Sequence, residues 1–150
     1  MDDNVKKAVD TYRKGYNCAQ AVLHAYSVDV GLDPLVALKV SSGFGGGMGR
    51  IQSVCGAVTG AFMAIGYRFG MTKEGDNAAK EKTYALVKRF ADEFRQAHGS
   101  ILCGDILGCD LNTPEGKKYY KDNDLTEKCA QCVGDAAGLL RSYLSGALSP

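Results

Sequence analysis

The sequence lacks the features that mark membrane-spanning and nucleic-acid-binding proteins. It has 18 lysines and arginines against 17 aspartates and glutamates, which leaves a formal net charge of +1. Such an even balance gives no support for binding to nucleic acid or to an anionic membrane surface. The longest apolar stretch, from Val54 to Tyr67, contains several glycines and is too short to span a bilayer.

Strand-like alternation, internal repeats and linker segments are also absent. Apolar residues recur instead at helical spacing and are separated by capping residues, prolines and glycines. We therefore expect residues 1–150 to form a single compact all-α domain of about six to eight helices. The first residues lead into an amphipathic helix rather than a signal peptide, so we expect the protein to be cytoplasmic.

Capping signals predict where the helices begin and end. The expected helices begin after Asp2 or Asp3, Asn17, Asp33 before Pro34, Ser53, Thr113 before Pro114, and Thr126, and the longest runs from about Asn77 to His98. The helix after Asn17 is expected to end near Tyr26, and a short turn of helix is expected over residues 101–107. In the helix that follows Ser53, Gly56, Gly60 and Ala64 lie on one stripe, which predicts that a neighbouring helix or a bound group approaches its backbone closely.

Four of the six cysteines follow a residue that can cap a helix. The pairs are Asn17 with Cys18, Ser53 with Cys55, Ser100 with Cys103, and Thr126 with Cys129. The positive end of a helix favours thiolate over thiol, and thiolate is the form that attacks disulfides and binds metals. Cytoplasmic thiols usually stay reduced, so these cysteines are expected to be catalytic or metal-bound. The pattern predicts one anionic sulfur site.

The remaining cysteines are expected to be additions to that site. Cys132 forms a CxxC pair with Cys129, but no strand precedes it as in a thioredoxin, and no second pair completes a structural zinc site. Cys132 is therefore interpreted as a core residue, and Cys109 as equally structural or functional. His24 and His98 are expected to be surface or helix-end histidines.

A glycine-rich loop over residues 43–50 is the second candidate for binding. It lacks the Gly-Lys-Ser/Thr ending of a P-loop and does not fit the dinucleotide-binding pattern. We expect Gly45, Gly46 and Gly47 to let the backbone pass close to the sulfur site and donate N–H groups to it, with Arg50 adding positive potential.

Three segments together resemble the C_GCAxxG_C_C family of redox-active proteins. They are Asn17-Cys18-Ala19-Gln20-Ala21-Val22, Ser42-Gly43-Phe44-Gly45-Gly46-Gly47-Met48-Gly49-Arg50 and Cys55-Gly56-Ala57-Val58-Thr59-Gly60. The family's four cysteines correspond to Cys18, Cys55, Cys103 and Cys129. The resemblance implies a redox role and similarity to a domain of split-Soret cytochromes, which carry an iron–sulfur cluster besides haem. Covalent haem is not expected, because no Cys-x-x-Cys-His occurs.

Four hypotheses about function follow. In the first, the four thiolates hold an iron–sulfur cluster, of the 2Fe–2S type, and exchange electrons with a redox partner protein that the sequence does not name. In the second, the protein is a metal-free thiol–disulfide oxidoreductase in which Cys55 or Cys18 attacks. In the third, the cysteines hold a structural metal such as zinc, and in the fourth they only pack the core of a helical interaction domain. The glycine-bearing helix could also serve a homodimer.

Overall fold

Eight α-helices make up most of residues 2–145, which are the residues that this computed structural model describes. They are α1 (Asp3–Arg13), α2 (Cys18–Val30), α3 (Pro34–Ser41), α4 (Gly56–Phe69), α5 (Asn77–His98), α6 (Cys103–Leu107), α7 (Pro114–Asp122) and α8 (Leu125–Leu144). Within the described residues there is no β-strand, only an isolated antiparallel bridge between Val54 and Leu102. The predicted all-α class is confirmed. The ends of the predicted domain, residue 1 and residues 146–150, lie outside the described residues.

Several helix boundaries follow from local capping, as predicted. The carboxylate of Asp2 accepts a hydrogen bond from the backbone of Asn4 at 2.8 Å, and Asp33 caps α3 in the same way. The hydroxyl of Thr113 accepts from Gly116 at 3.0 Å at the start of α7. The longest helix, α5, has the predicted bounds. These signals depend only on nearby residues, so the sequence suffices to identify them.

Three predicted caps are wrong. Cys55 itself is the N-cap of α4, because residues 52–55 pair with residues 101–104 instead of entering the helix at Ser53. The same pairing makes Leu102 the N-cap of α6, and the hydroxyl of Ser100, two residues earlier, accepts a hydrogen bond from the amide of Leu102. Thr126 lies inside α8, which begins at Leu125.

The end of α2 also differs from the prediction. The helix continues past Tyr26 to Val30, where Gly31 ends it in a left-handed conformation with φ of +81°. Tyr26 is therefore an interior residue of the helix, and its hydroxyl donates a 2.6 Å hydrogen bond to the carbonyl of Ala137 in α8.

The core lies between α2, α4, α5 and α8. Its largest fully buried side chains include Tyr26, Phe90, Phe94, Ile65 and Tyr143. Phe90 and Tyr143 meet edge to face with their ring centroids 5.4 Å apart, which joins α5 to α8. None of the described helices is both long and apolar enough to cross a membrane.

The glycine stripe of α4 is packed directly against α2, which confirms the predicted close approach. A Cβ atom added to Gly60 would lie 2.7 Å from the carbonyl oxygen of Ala19. One added to Gly56 would lie 3.0 Å from the Ala19 nitrogen and 3.1 Å from Cβ of Cys18. The absence of side chains on this stripe therefore brings the first turns of α2 and α4, with Cys18 and Cys55, next to each other.

Candidate functional site

Five cysteines line one cavity of about 510 Å³, at the N-terminal ends of α2, α4 and α6. They are Cys18, Cys55, Cys103, Cys129 and Cys132. The structure thus brings together the four cysteines that the sequence grouped and adds Cys132. Cys109 is half-buried, outside the residues that line this cavity. All six cysteines are free thiols.

Helix beginnings position the first two of these thiols. Cys18 is the first residue of α2, and Asn17 and Gln20 form a reciprocal capping box around it. Cys55 is the N-cap of α4, next to the backbone N–H groups of the first turn. The expected placement of thiols at the positive ends of helices is therefore present at α2 and α4.

A short pairing of two extended segments places Cys103 beside Cys55. The amide of Cys55 donates to the carbonyl of Ile101, and the amide of Cys103 donates to the carbonyl of Ser53, each at 2.7 Å. These bonds fix the two backbones next to each other before α4 and α6 begin. Cys129 is placed differently, because it lies in the second turn of α8 rather than just after a cap.

The glycine loop forms one wall of the cavity. Gly46, Gly47 and Arg50 line it, whereas Gly45 packs against the side chain of Asn17. Every residue from Gly46 to Arg50 has a positive φ, between +62° and +68°. A Cβ atom on Gly47 would lie 2.8 Å from Cβ of Cys103. The loop backbone therefore comes close to the site, in a conformation that glycine favours.

The thiols of Cys18 and Cys129 interact with each other. Hydrogen bonding with Cys18 lowers the pKa of Cys129 to about 6 against the cost of burial, and the hydroxyls of Tyr120 and Tyr12 contribute in the same direction. The Tyr120 oxygen lies 3.7 Å from the Cys129 sulfur. The same interaction raises the pKa of Cys18 well above its usual value. Cys129 is therefore the more acidic member of this pair.

Cys55 and Cys132 form a second interacting pair of thiols. Hydrogen bonding with Cys132, and then with backbone N–H groups, lowers the pKa of Cys55 although the residue is buried. The interaction raises the pKa of Cys132. Cys55 is therefore the more acidic member of this pair.

Cys103 stands apart from both pairs. Burial raises the pKa of its thiol to about 12, and its hydrogen-bond partner is the side chain of Gln52. The same amide group of Gln52 donates to the carbonyl of Cys109 at 2.8 Å and accepts from the backbone of Leu111 at 2.9 Å. Gln52 thus ties the segment after α6 to the glycine loop.

His98 is a helix-end histidine, as predicted, because α5 ends at this residue, but it does not lie on the surface. Its side chain is 8% exposed, stacks on Phe94 at 4.4 Å between centroids, and has Nδ1 3.8 Å from the sulfur of Cys132. Its Nε2 lies 3.0 Å from a carboxylate oxygen of Asp135, in an ion-pair contact that is not aligned as a hydrogen bond. The end of α5 is buried against α8, and this tertiary contact has no local signal in the sequence.

Two tyrosines also belong to the site, and sequence reasoning did not select them. Tyr12 and Tyr120 line the cavity, and the hydroxyl of Tyr120 contacts the sulfur of Cys129. Cys132 could have been recognised, because it follows Cys129 by three residues and so lies on the same helix face.

The cysteine side chains of the cavity do not form a tetrahedron around one central point. Among residues 2–145, no three His, Cys, Asp or Glu side chains converge on a point where a single metal ion could sit. The cavity also receives two cationic side chains, Arg50 and Lys117, which would offset negative charge on the sulfurs.

A comparison with protein-family models finds a match over residues 16–143, a range that includes every cysteine of the cavity. The chain belongs to the C_GCAxxG_C_C family. The model of that family is described as "Putative redox-active protein (C_GCAxxG_C_C)", which agrees with a cavity lined by thiols. Searches of curated proteins and of solved structures found no significant match to this C_GCAxxG_C_C chain.

Cys129 of the metal-free protein is expected to alkylate at unusually low pH. The attacking form is the thiolate, so a pKa of about 6 means that its rate rises through pH 6 and levels off above it. An ordinary thiol would instead become reactive near pH ~8.5. Rates measured by peptide mapping after iodoacetamide treatment test this. Cys18→Ala should move the midpoint to higher pH, and Tyr120→Phe should move it less. A wild-type midpoint for Cys129 near that of Cys109 would contradict the prediction.

Proposed function

We propose that this redox-family protein is an electron carrier that holds an iron–sulfur cluster, of the 2Fe–2S type, on thiolates of the cavity. The observation that carries the proposal is the convergence of five free thiols on one cavity. Such a cluster supplies one-electron transfer when bound, with a potential set by its ligands, hydrogen bonds and exposure.

The chemistry of the donor set fits this group. A 2Fe–2S cluster is held by four cysteine thiolates, two on each iron, and the cavity offers more thiols than that, four of them in two pairs. A single structural zinc ion instead needs four cysteine or histidine ligands around one point, with each sulfur at about 2.3 Å. The described side chains offer no such point, so the pairs support a cluster better than a structural zinc site.

The surroundings of the thiols also suit a negatively charged group. Cys18 and Cys55 lie at the N-terminal ends of α2 and α4, where the helix carries a partial positive charge. Arg50 and Lys117 add positive charge at the cavity, and Gly46 and Gly47 bring the loop backbone to its wall. These residues would stabilise thiolates and hold them in place. The predicted ligand set is Cys18, Cys55, Cys103 and Cys129, and the partner that exchanges electrons with the site would be another redox protein.

Metal analysis of protein purified without oxygen tests the proposal. We expect about two iron atoms and about two sulfides per chain after anaerobic reconstitution, with visible charge-transfer absorption that disappears on removal of the metal. Cys109→Ala provides the control, since Cys109 does not line the cavity and its loss should leave the iron content unchanged. A colourless, iron-free protein after reconstitution would refute the cluster.

A metal-free thiol–disulfide oxidoreductase is the second candidate, and the two thiol pairs favour it. Each pair has one thiol whose pKa is lowered and one whose pKa is raised, as a nucleophile and a resolving thiol require. Cys55 keeps its expected role as attacker. Cys18 does not, because its pKa is raised, and Cys129 takes its place. Reversible loss of two hydrogens per pair under a small disulfide oxidant, without metal, would support this candidate.

A further inference from the structure

We infer that the outer part of the cavity binds a small organic anion, whose carboxylate or phosphate group contacts Arg50 and Lys117 at the opening. This site goes beyond the proposed electron carrier and does not depend on a cluster, because it is built from the exposed residues of the cavity and not from the sulfurs. The ligand would lie between the solvent and the cysteines.

Exposure divides the residues that line the cavity into a floor and a rim. The cysteines are buried or half-buried, as are the glycines and the aliphatic residues. Of the described residues that line the cavity, three are exposed: Tyr16, Arg50 and Lys117. They belong to three separate segments, which are the turn before α2, the glycine loop and α7. A molecule that enters from the solvent therefore meets these three side chains first.

The rim carries positive charge that the protein itself does not neutralise. The chain has 17 aspartates and glutamates, but none of the described residues that line the cavity is acidic. Within residues 2–145, the side chains of Arg50 and Lys117 form neither an ion pair nor a hydrogen bond, whereas Lys118 pairs with Asp122 at 2.6 Å. An anionic oxygen group would supply the missing partner, since a guanidinium binds carboxylate or phosphate through two parallel N–H groups.

The backbone of Arg50 is held in an unusual conformation. Its φ is +65°, in the left-handed region that residues other than glycine seldom adopt, and such positions cluster at functional sites. The side chain of Asn112 donates a 2.8 Å hydrogen bond to the Arg50 carbonyl, and Asn112 comes just before the helix that carries Lys117. This bond links the two segments that bear the cations, so less order has to be created when a ligand binds.

The remaining walls suit an organic anion better than an inorganic one. Ile106, Leu107 and Leu111 line the cavity together with the rings of Tyr12 and Tyr120. The volume of about 510 Å³ falls within the range of about 300–1,000 Å³ that is typical of small-molecule sites. A cluster core of two irons and two sulfides would fill only part of it. Apolar walls with charged groups at one end fit a ligand that has a hydrocarbon body and one anionic end.

Titration of the full-length protein, purified without oxygen, with four small probes tests this site. Benzoate and phenyl phosphate have an aromatic body and an anionic end, benzamide lacks the charge, and inorganic phosphate lacks the body. We expect at least one of the two organic anions to bind about tenfold or more tightly than benzamide and inorganic phosphate, as measured by isothermal titration calorimetry. The tighter of the two identifies the anionic group as carboxylate or phosphate.

Three variants locate the bound anion. Arg50→Gln and Lys117→Gln should each weaken the tighter organic anion by about tenfold, which corresponds to the loss of one hydrogen bond to a charged group. Lys118→Gln is the matched control, because this neighbouring lysine does not line the cavity and is already paired with Asp122. All three side chains are exposed, and circular dichroism shows whether each variant is folded.

The outcomes separate this inference from the proposed function. The inference would be overturned if neither organic anion bound at millimolar concentration, if benzamide or inorganic phosphate bound equally well, or if Lys118→Gln lost as much affinity as the other variants. Iron content, measured on the same wild-type preparation, tests the cluster independently. Iron without anion binding would refute this inference alone, and anion binding by a protein that takes up no iron would refute the cluster alone.

Discussion

Gly60→Ala is expected to lower the free energy of unfolding by about 2 kcal/mol, because α2 leaves no room for a side chain there. The new Cβ would lie 2.7 Å from the carbonyl oxygen of Ala19 and 3.1 Å from its Cα. Both are backbone atoms, which cannot rotate away, so the two helices must separate. Overpacking typically lowers the free energy of unfolding by about 1–3 kcal/mol. The higher helix propensity of alanine raises it by no more than about 1 kcal/mol.

Denaturant or thermal unfolding measures this effect, and Gly66→Ala in the same helix is its control. A Cβ on Gly66 would meet nothing within 4 Å, so that variant should gain up to about 1 kcal/mol from helix propensity alone. The two substitutions are chemically identical, and only the neighbour differs. If Gly60→Ala were as stable as Gly66→Ala, close packing of α2 on α4 would not explain the glycine stripe.

The same substitution should also weaken metal binding. Ala19 directly follows Cys18, and Cys55 is the N-cap of α4, so any separation of the two helices moves these sulfurs apart. We therefore expect a lower iron content for folded Gly60→Ala than for Gly66→Ala.

The helices could be predicted wherever a local signal defines their ends. Asp33 before Pro34 and Thr113 before Pro114 cap α3 and α7 as expected, because a cap bonds only amides two or three residues away. Ser53 failed for a physical reason: its carbonyl accepts from the amide of Cys103, about fifty residues later in the chain. No local pattern announces such a pairing.

The candidate site was predicted in part for the same reason. Cys18 and Cys55 lie at helix starts, so the field of the helix singles them out in the sequence. Cys132 was assigned to the core because a CxxC pair was compared only with thioredoxin and zinc motifs, although its spacing from Cys129 indicates a shared helix face. The role of His98 depends on the burial of α5 against α8, which only the tertiary structure shows.

Gly47→Ala is the second substitution with a large expected effect, on both stability and the site. Gly47 has φ of +67°, and a side chain in this left-handed region costs about 1–2 kcal/mol. Its Cβ would also lie 2.7 Å from Cα of Gln52 and from the Ser53 nitrogen, and 2.8 Å from Cβ of Cys103. Relief of these contacts must push the loop away from the segment that holds Cys55 and Cys103, so both the free energy of unfolding and the iron content should fall.

Gly49→Ala separates the two causes. Gly49 belongs to the same left-handed run, with φ of +62°, but its added Cβ would meet only the carbonyl oxygen of Gly43, at 3.9 Å. Gly49→Ala therefore has the unfavourable backbone conformation but no steric clash. We expect it to keep its iron and to lose about 1–2 kcal/mol in its free energy of unfolding. The difference between the two variants measures how firmly the loop is held against the cysteines. Equal stability and equal iron content would mean that the loop can move aside, and that it is a connection between helices rather than a wall of the site.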